Sequence, residues 1–143
     1  MYVDTILKKK GDTVVAVEPD CLVSQAAQTL HEKRIGAALV RDAAGTIVGM
    51  LSERDIVRGV ALNQEACLNM TVKELMTRPV ITCAPGDTIE QIMELMTERR
   101  VRHLPVMDDD VLIGIISIGD VVKQRISEIE HESQALRQYI AAG

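Results

Sequence analysis

Two pairs of side chains in this sequence combine a hydroxyl and a carboxylate at one spacing. Ser52 precedes Asp55 by three residues, and Ser117 precedes Asp120 in the same way. In both places an apolar segment gives way to a helical pattern. A carboxylate at such a position can accept hydrogen bonds from both hydroxyls of a ribose, while the serine hydroxyl and nearby helix amides can donate to a phosphate. We name these positions the Asp55 corner and the Asp120 corner, and both are candidate nucleotide sites.

The same spacing also has a purely structural explanation. A serine at the N-cap followed three residues later by an acid forms a capping box, which satisfies two backbone amides and contributes about 1 kcal/mol of helix stability. Spacing alone favours this explanation. The two corners occupy equivalent positions of an internal repeat, and this symmetry favours two like binding sites instead.

The densest group of basic residues lies between the two corners. It consists of Arg99, Arg100, Arg102 and His103. Arg99 and Arg100 are expected at a helix end, where cations suit the helix dipole. Arg102 and His103 open the next strand and are candidates for anion contact, because a chain of net charge −5 must supply positive charge locally.

The candidate residues lie in a chain made of two similar repeats. Pro19 aligns with Pro85 at an offset of 66 residues, which becomes 65 after a one-residue gap in a turn. The aligned identities follow in order along the chain. They are Gln25 with Gln91, Glu32 with Glu98, Arg34 with Arg100, Val40 with Val106, Asp42 with Asp108, Gly49 with Gly114, Ser52 with Ser117 and Asp55 with Asp120.

Each copy predicts the order strand, helix, two strands around a tight turn, and helix. The predicted first strands are Thr13–Val17 and Pro79–Cys83, each followed by a Pro-containing turn. The first helices show apolar residues at i, i+3, i+4 and i+7, and the second helices start at Ser52 and Ser117. The apolar helix positions are Val23, Ala26, Ala27 and Leu30, then Ile89, Ile92, Met93 and Met96. The predicted hairpins pair Ala37–Val40 with Thr46–Leu51 and Leu104–Met107 with Val111–Ile116.

The pattern divides the chain into residues 1–60 as a first repeat, 61–77 as a helical linker with an N-cap at Thr71, 78–126 as a second repeat, and 127–143 as a helical tail. Apolar residues continue into the tail at near-heptad steps interrupted by Ser133, and acidic and basic residues mark its polar face. The apolar positions are Val122, Ile126, Ile129, Leu136 and Ile140, and the polar positions are Glu128, Glu130, Glu132 and Arg137. One helix with one apolar stripe needs a partner, and we expect a homodimer.

Composition limits the class of protein. In 143 residues, 47% are hydrophobic, yet Tyr2 and Tyr139 are the only aromatic residues, so the core must be aliphatic and cannot offer aromatic rings for base stacking. The acidic net charge argues against nucleic acid as a partner. Three widely spaced cysteines, Cys21, Cys67 and Cys83, match neither a disulfide framework nor a zinc site, and no metal is expected. No apolar run approaches the roughly 20 residues that cross a bilayer, so we expect a cytoplasmic protein without membrane contact.

The element order, given twice, resembles the tandem CBS domain pair, named after cystathionine β-synthase. The segments that carry the resemblance are Gly49–Asp55, Gly114–Asp120 and Val101–Val106. The resemblance implies an α/β fold of two β-α-β-β-α repeats packed as a pseudo-twofold pair, with two clefts between them. It also implies that Ser52, Asp55, Ser117 and Asp120 contact the phosphate and ribose of an adenine nucleotide such as AMP, ADP or ATP, with NAD or NADH as an alternative.

The resemblance also assigns residues to each cleft. Basic residues at the start of the strand before Pro105 would reach phosphates, and the first repeat has Gly36 and Ala37 in their place. The Asp120 cleft is therefore expected to be the better site for a multiply charged phosphate, while Arg54 partly compensates in the Asp55 cleft. Assigned to the Asp120 cleft are Ser117, Arg102, His103, Lys10, Thr13, Val15 and Ala16. Assigned to the Asp55 cleft are Ser52, Arg54, Gly36, Ala37, Met76, Thr77, Val80 and Ile81.

These residues favour a regulatory nucleotide-binding module that signals to a separate effector protein and catalyses no reaction. The best catalytic constellation is His103 with Asp120 or Ser117, which phosphate binding already explains. No GxSxG, Walker or Cys-His signature is present. The alternative is a structural module for dimerisation or partner docking whose clefts are vestigial, and the presence of both Ser-x-x-Asp corners argues against it.

Overall fold

The computed structural model describes residues 1–142 and alternates helices with short strands. The elements of the first half are α1 (Val3–Lys10), β1 (Ala16–Val17), α2 (Val23–Lys33), β2 (Ala37–Arg41), β3 (Ile47–Ser52) and α3 (Glu53–Asn63). A 3-10 helix (Gln64–Asn69) and α4 (Val72–Leu75) follow. The remaining elements are α5 (Ile89–Arg99), β4 (His103–Asp108), β5 (Val111–Ser117) and α6 (Ile118–Ala142). Helix, hairpin and helix therefore occur twice in the predicted order, which confirms the mixed α/β fold.

The chain forms two compact units whose limits differ from those of the sequence repeats. The first-repeat unit comprises Val14–Ile81, and the second-repeat unit comprises Met1–Thr13 together with the chain from Thr82 onward. Each unit thus contains the hairpin and helices of one repeat and also the segment that leads into the first strand of the other repeat. This exchange decides which residues surround each corner.

The first-repeat unit is built on a three-stranded sheet in the order β1-β2-β3. β1 runs parallel to β2, and β2 pairs antiparallel with β3. The buried face of α2, with Val23, Ala26 and Leu30, joins Val40 and Leu51 of the sheet in one aliphatic core. The turn between β2 and β3 is the predicted one, because Asp42 Oδ1 accepts hydrogen bonds from the amides of Ala44 and Thr46.

The second-repeat unit has a two-stranded sheet, with β4 antiparallel to β5. Ile89, Ile92 and Met96 form the buried face of α5, and Val121 is buried on α6. α1 belongs to this unit and buries Val3, Ile6 and Leu7. The sequence interpretation did not include this helix, although its apolar residues have helical spacing.

The predicted first strands are shorter than expected. Of Thr13–Val17 only Ala16–Val17 is a strand. Of Pro79–Cys83 only Cys83 pairs, through a single parallel bridge to Val106. Both segments lie beside one hairpin strand only, and Pro79 has no amide hydrogen to donate, so few ladder hydrogen bonds are available to extend them.

The linker differs from a single helix, whereas the tail is helical as expected. Residues 61–77 contain the end of α3, the 3-10 helix and the single turn of α4, for which Thr71 is the N-cap. The tail continues α6 without a break. The prediction that Glu128 lies on the polar face is wrong, because Glu128 is buried and its Oε1 lies 3.3 Å from the ammonium of Met1.

All three cysteines are free, and two of them, Cys67 and Cys83, are buried. Burial, with the nearby charge of Asp87, raises the pKa of the Cys83 thiol to about 12. Its thiol therefore stays protonated at neutral pH and serves as a small apolar side chain of the core.

Candidate functional site

The Asp55 corner forms a complete capping box. Ser52 is the N-cap of α3, and its Oγ accepts a hydrogen bond from the Asp55 amide at 3.3 Å. In return, Asp55 Oδ2 accepts hydrogen bonds from the Ser52 amide at 2.9 Å and from the Ser52 hydroxyl at 3.1 Å. The structural explanation of the Ser-x-x-Asp spacing is therefore correct as far as the cap itself is concerned.

The second oxygen of Asp55 is also engaged by the protein. Oδ1 accepts hydrogen bonds from Arg58 Nη2 and from Thr77 Oγ1, both at 2.9 Å. Arg58 also donates to the carbonyl of Leu75 at 3.3 Å, which ties α3 to α4. Only 3% of Asp55 is exposed. This carboxylate is a buried, fully bonded member of its own unit.

Thr77 reaches Asp55 because its backbone lies against β3. Met50 and Thr77 form an antiparallel bridge, with N–O distances of 3.0 and 2.8 Å. Gly49 leaves room for this approach, since a β-carbon at that position would lie 2.6 Å from the sulfur of Met76 and 3.1 Å from the carbonyl oxygen of Thr77. The segment leading into the second repeat is thereby fixed beside the Asp55 corner.

The Asp120 corner repeats the capping box but not its surroundings. The Ser117 amide donates to Asp120 Oδ2 at 2.8 Å, and Ser117 Oγ accepts from the Asp120 amide at 3.2 Å. Lys10 Nζ donates to the same oxygen at 2.7 Å and to the carbonyl of Ile115 at 2.9 Å. The side chain of Asp120 is 25% exposed. This carboxylate therefore faces solvent in part and has a cation beside it.

The electrostatics of Asp120 are decided by opposing effects. Partial burial disfavours the charged form, but the hydrogen bond from Lys10, the Ser117 amide and the charge of Lys10 together outweigh it. The pKa of Asp120 is consequently below its ordinary value. The group is an anion at neutral pH and can act only as a hydrogen-bond acceptor.

α1 positions the lysine. The helix ends with Lys8, Lys9 and Lys10 in its last turn, where cations suit the dipole. A β-carbon on Gly114 would lie 2.7 Å from Leu7 Cδ2, so the glycine of β5 allows α1 to pack closely. Gly49 and Gly114 are aligned in the two repeats, and each accommodates the segment that leads into the other repeat.

Arg102 and His103 lie where the alignment placed them. His103 is paired with Ser117 across the β4–β5 ladder, and the Arg102 carbonyl accepts from the Ile118 amide at 2.8 Å. Gly36 and Ala37 make the equivalent contacts in the other unit, with the Glu53 amide at 2.9 Å and with Ser52. Basic residues thus flank the Asp120 corner at backbone positions where the Asp55 corner has small, uncharged ones.

The other assigned residues have varied places. Thr13 is exposed and belongs to the second-repeat unit, whereas Val15 and Ala16 belong to the first-repeat unit, where the Val15 carbonyl accepts from Leu39. Arg54 is exposed on α3. Val80 and Ile81 are half-buried outside regular structure.

Sequence reasoning missed the role of Arg58. It named only Arg54 as a basic residue at the Asp55 corner, as positive charge for a ligand phosphate, and that role stays a prediction; the structure adds Arg58, whose guanidinium contacts Asp55. The i, i+3 spacing of Asp55 and Arg58 on one helix is the signal that could have identified the pair. Lys10 was assigned to base recognition, and its ammonium lies on the carboxylate of Asp120.

Residues 1–142 contain no group of three or more His, Cys, Asp or Glu side chains placed to hold a metal ion. Within the same residues, none of the helices is long and apolar enough to cross a membrane.

Known proteins resemble this chain along most of its length. The crystal structure of the CBS-domain containing protein ATU1752 from Agrobacterium tumefaciens is 47% identical, with a TM-score of 0.85, and the match covers 87% of this chain and 92% of that one. The mitochondrial CBS domain-containing protein CBSX3 of Arabidopsis thaliana is 30% identical over 99% of this chain and 72% of its own length.

A structure with bound ligands is also similar. The CBS domain pair of protein MJ0100, in complex with 5-methylthioadenosine and S-adenosyl-L-methionine, is 25% identical with a TM-score of 0.76 and covers 87% of this chain and 98% of that one. The family model for the CBS domain matches residues 11–62 and 72–127. The two repeats are two CBS domains, and the chain belongs to the CBS domain family.

Proposed function

We propose that this protein is a regulatory module that binds an adenosine-containing ligand at the Asp120 corner and signals to a separate effector protein without catalysing a reaction. The observation that carries the proposal is the state of Asp120, an ionised and partly exposed carboxylate beside Lys10. The ligands of the MJ0100 domain pair, both of them adenosine derivatives, support the choice of ligand class. Among such ligands we favour AMP, ADP or ATP, with NAD or NADH as the alternative.

The geometry of the corner suggests a role for each group. The contacts from Lys10 and Ser117 share Asp120 Oδ2, so we assign Oδ1 to a ribose hydroxyl. Lys10 is 36% exposed and can turn from the carboxylate to a ligand phosphate. Arg102 and His103, beside the start of α6, add positive charge that the first-repeat unit lacks at Gly36 and Ala37.

The Asp55 corner is proposed as the weaker site. A ribose hydroxyl at Asp55 would have to replace Arg58 or Thr77, because both carboxylate oxygens already accept hydrogen bonds. Displacement of a charged hydrogen-bond partner from a buried carboxylate costs on the order of 1.5 to 3 kcal/mol. We therefore expect one ligand to bind tightly and any second one to bind weakly.

Dimerisation is the second part of the proposal. Apolar residues of α6 that include Ile126, Ile129 and Leu136 are exposed, and a second copy of the chain would cover them. The same observation favours the alternative function, a structural docking module with vestigial clefts. The cytoplasmic location expected from the sequence stays a prediction.

Ligand titration separates the two functions. Thermal unfolding with AMP, ADP, ATP, NAD and S-adenosylmethionine should show one adenosine ligand that stabilises the protein by about 2.7 kcal/mol at a hundredfold excess over its dissociation constant. GMP serves as the matched base control, and Asp120→Asn should abolish most of the shift. If none of the adenosine ligands moves the melting temperature more than GMP does, the docking function stands instead.

A further inference from the structure

α6 has two faces with opposite environments. Val121, Gln124 and Glu128 are buried against the second-repeat unit. A second set of residues, on the other side of the helix, is solvent-exposed. We name this set the α6 seam, and it consists of Val122, Ile126, Ile129, Ser133, Leu136 and Ile140.

The α6 seam has an unbroken heptad spacing. Its members follow at alternating steps of four and three residues, which places Ile126, Ser133 and Ile140 at a positions and Val122, Ile129 and Leu136 at d positions. Ser133 is thus not a break in the pattern but a polar residue at an a position. A β-branched residue at a with Leu at d, as at Ile140 and Leu136, favours a two-stranded coiled coil, and a polar residue at a single a position fixes the register.

The charged residues beside the seam distinguish between two ways of pairing two copies. Positions e are Lys123, Glu130 and Arg137, and positions g are Arg125, Glu132 and Tyr139. In a parallel pair, each g residue meets the e residue of the next heptad of the partner. Arg125 then faces the partner's Glu130, and Glu132 faces the partner's Arg137. Both contacts join opposite charges.

An antiparallel pair gives the reverse result. In the register that keeps all six seam residues in contact, e meets e and g meets g. Glu130 would face the partner's Glu130, Glu132 the partner's Glu132, and Lys123 the partner's Arg137. All three contacts join like charges, which destabilises the arrangement.

We propose that α6 pairs with α6 of a second copy as a parallel, in-register, two-stranded coiled coil. The proposal rests on the proposed homodimer and specifies its surface, direction and register. A shallow groove of about 570 Å³ lies at the start of the seam, and it is lined by Ile118, Gly119, Val122 and Ile126 together with the cations Arg102 and Lys123. Gly119 occupies an a position without a side chain, so the groove offers space for a side chain of the partner.

Disulfide trapping tests the direction. Leu136→Cys places two thiols opposite each other in a parallel pair, and we expect nearly complete disulfide-linked dimer after mild oxidation. Gln138→Cys, two residues away on the opposite face, is the matched control and should remain unlinked. Both variants carry Cys21→Ser, because Cys21 is partly exposed whereas Cys67 and Cys83 are buried. Cross-linking of an Ile126→Cys and Leu136→Cys mixture, with neither variant linked alone, would overturn the parallel arrangement in favour of an antiparallel one.

Charge reversal tests the register. Arg137 is chosen because Arg125 already contacts Glu128 of its own chain at 3.2 Å. Arg137→Glu puts like charges at two symmetric contacts of a parallel pair, and its dimer dissociation constant should rise about tenfold in sedimentation equilibrium. Glu132→Arg combined with Arg137→Glu should restore the wild-type value.

The outcomes separate the two claims. A wild-type protein that is monomeric at micromolar concentration overturns both the homodimer and the coiled coil. A wild-type dimer that Arg137→Glu strengthens, or that Leu136→Cys does not link, keeps the homodimer and overturns the parallel coiled coil. None of these results depends on a nucleotide, so the ligand proposal is tested separately.

Discussion

The two Ser-x-x-Asp corners share one motif and the hydrogen bonds of one capping box but differ in the surroundings of the acid. Asp55 is buried, with Ser52, Arg58 and Thr77 all donating to its oxygens. Asp120 is partly exposed and its carboxylate has Lys10 as its charged partner. The same capping box therefore occurs with a closed and with a partly exposed carboxylate, and the neighbouring side chains make the difference.

The difference arises outside the motif. The segments that lead into the two first strands lie beside the second strand of the other repeat's hairpin, β3 or β5. They bring Thr77 to Asp55 and Lys10 to Asp120. The neutral hydroxyl of Thr77 completes a closed network at Asp55, whereas the half-exposed Lys10 leaves the carboxylate of Asp120 partly exposed to solvent. The two corners carry the same motif, and these segments give them different surroundings.

The largest expected effect is on stability and separates the corners directly. Asp55→Ala removes the acceptor of several hydrogen bonds in a buried network and should lower the free energy of unfolding by about 3 kcal/mol. Asp120→Ala removes a cap at a partly exposed position and should cost about 1 kcal/mol. Urea unfolding of both variants measures the difference, and Asp→Asn at each position is the milder control. Equal losses would mean that the two acids have equivalent surroundings in solution.

The next effect is on ligand affinity and runs in the opposite order. Asp120→Ala should weaken binding of the stabilising adenosine ligand by about thirtyfold, which corresponds to one lost hydrogen bond to a charged group. Asp55→Ala should change the affinity of the tight site by less than a factor of three at a temperature where the variant is folded. Calorimetric titration of both variants gives the two values. A larger loss from Asp55→Ala would transfer the principal site to the first-repeat unit.

Local patterns made much of this fold predictable. The spacing of Val23, Ala26 and Leu30, and that of Ile89, Ile92 and Met96, gave the helices correctly because one face of each helix is buried. Both hairpins and both capping boxes were likewise predictable, since their residues lie within a few positions of one another.

Long-range contacts account for what the sequence could not show. Asp55 and Thr77 are 22 residues apart, and Asp120 and Lys10 are 110 residues apart. No local pattern therefore predicts which of the two carboxylates is buried. The first strand of each repeat is shorter than predicted, because its pairing depends on a hairpin elsewhere in the chain. Glu128 looked like a surface residue because its burial depends on the packing of α1 and the amino terminus.

A smaller effect tests the closed network at the Asp55 corner. Thr77→Val keeps the shape of the side chain but removes the hydroxyl that donates to Asp55 Oδ1 at 2.9 Å. We expect a loss of about 1 kcal/mol in the free energy of unfolding, less than for Asp55→Ala because Arg58 still donates to the same oxygen. Thr97→Val on α5, whose hydroxyl donates to the carbonyl of Met93 in its own helix, is the matched control and should have little effect. Equal small changes in both variants would mean that Thr77 contributes nothing special to the network.

The smallest expected effect is the pH dependence that comes from Asp120. The pKa of Asp120 is lower in the folded protein than in the unfolded chain. In the unfolded chain an Asp side chain has a pKa of about 4. The folded state therefore binds fewer protons in this range, so the contribution to stability is complete above about pH 4 and is lost as the pH falls through the folded pKa. Wild type should consequently lose more stability than Asp120→Asn between pH 6 and pH 3.

The comparison of these two proteins isolates Asp120, because Glu74, whose pKa is lowered mainly by the Thr71 amide, titrates equally in both. Lys10→Met tests whether the Lys10 ammonium causes the lowered pKa of Asp120. Loss of the ammonium should raise this pKa and bring the pH profile of stability closer to that of Asp120→Asn. In the Asp120→Asn background, Lys10→Met should leave the profile unchanged. If it changes the profile equally in both backgrounds, Lys10 acts elsewhere and the ion pair does not distinguish the two corners.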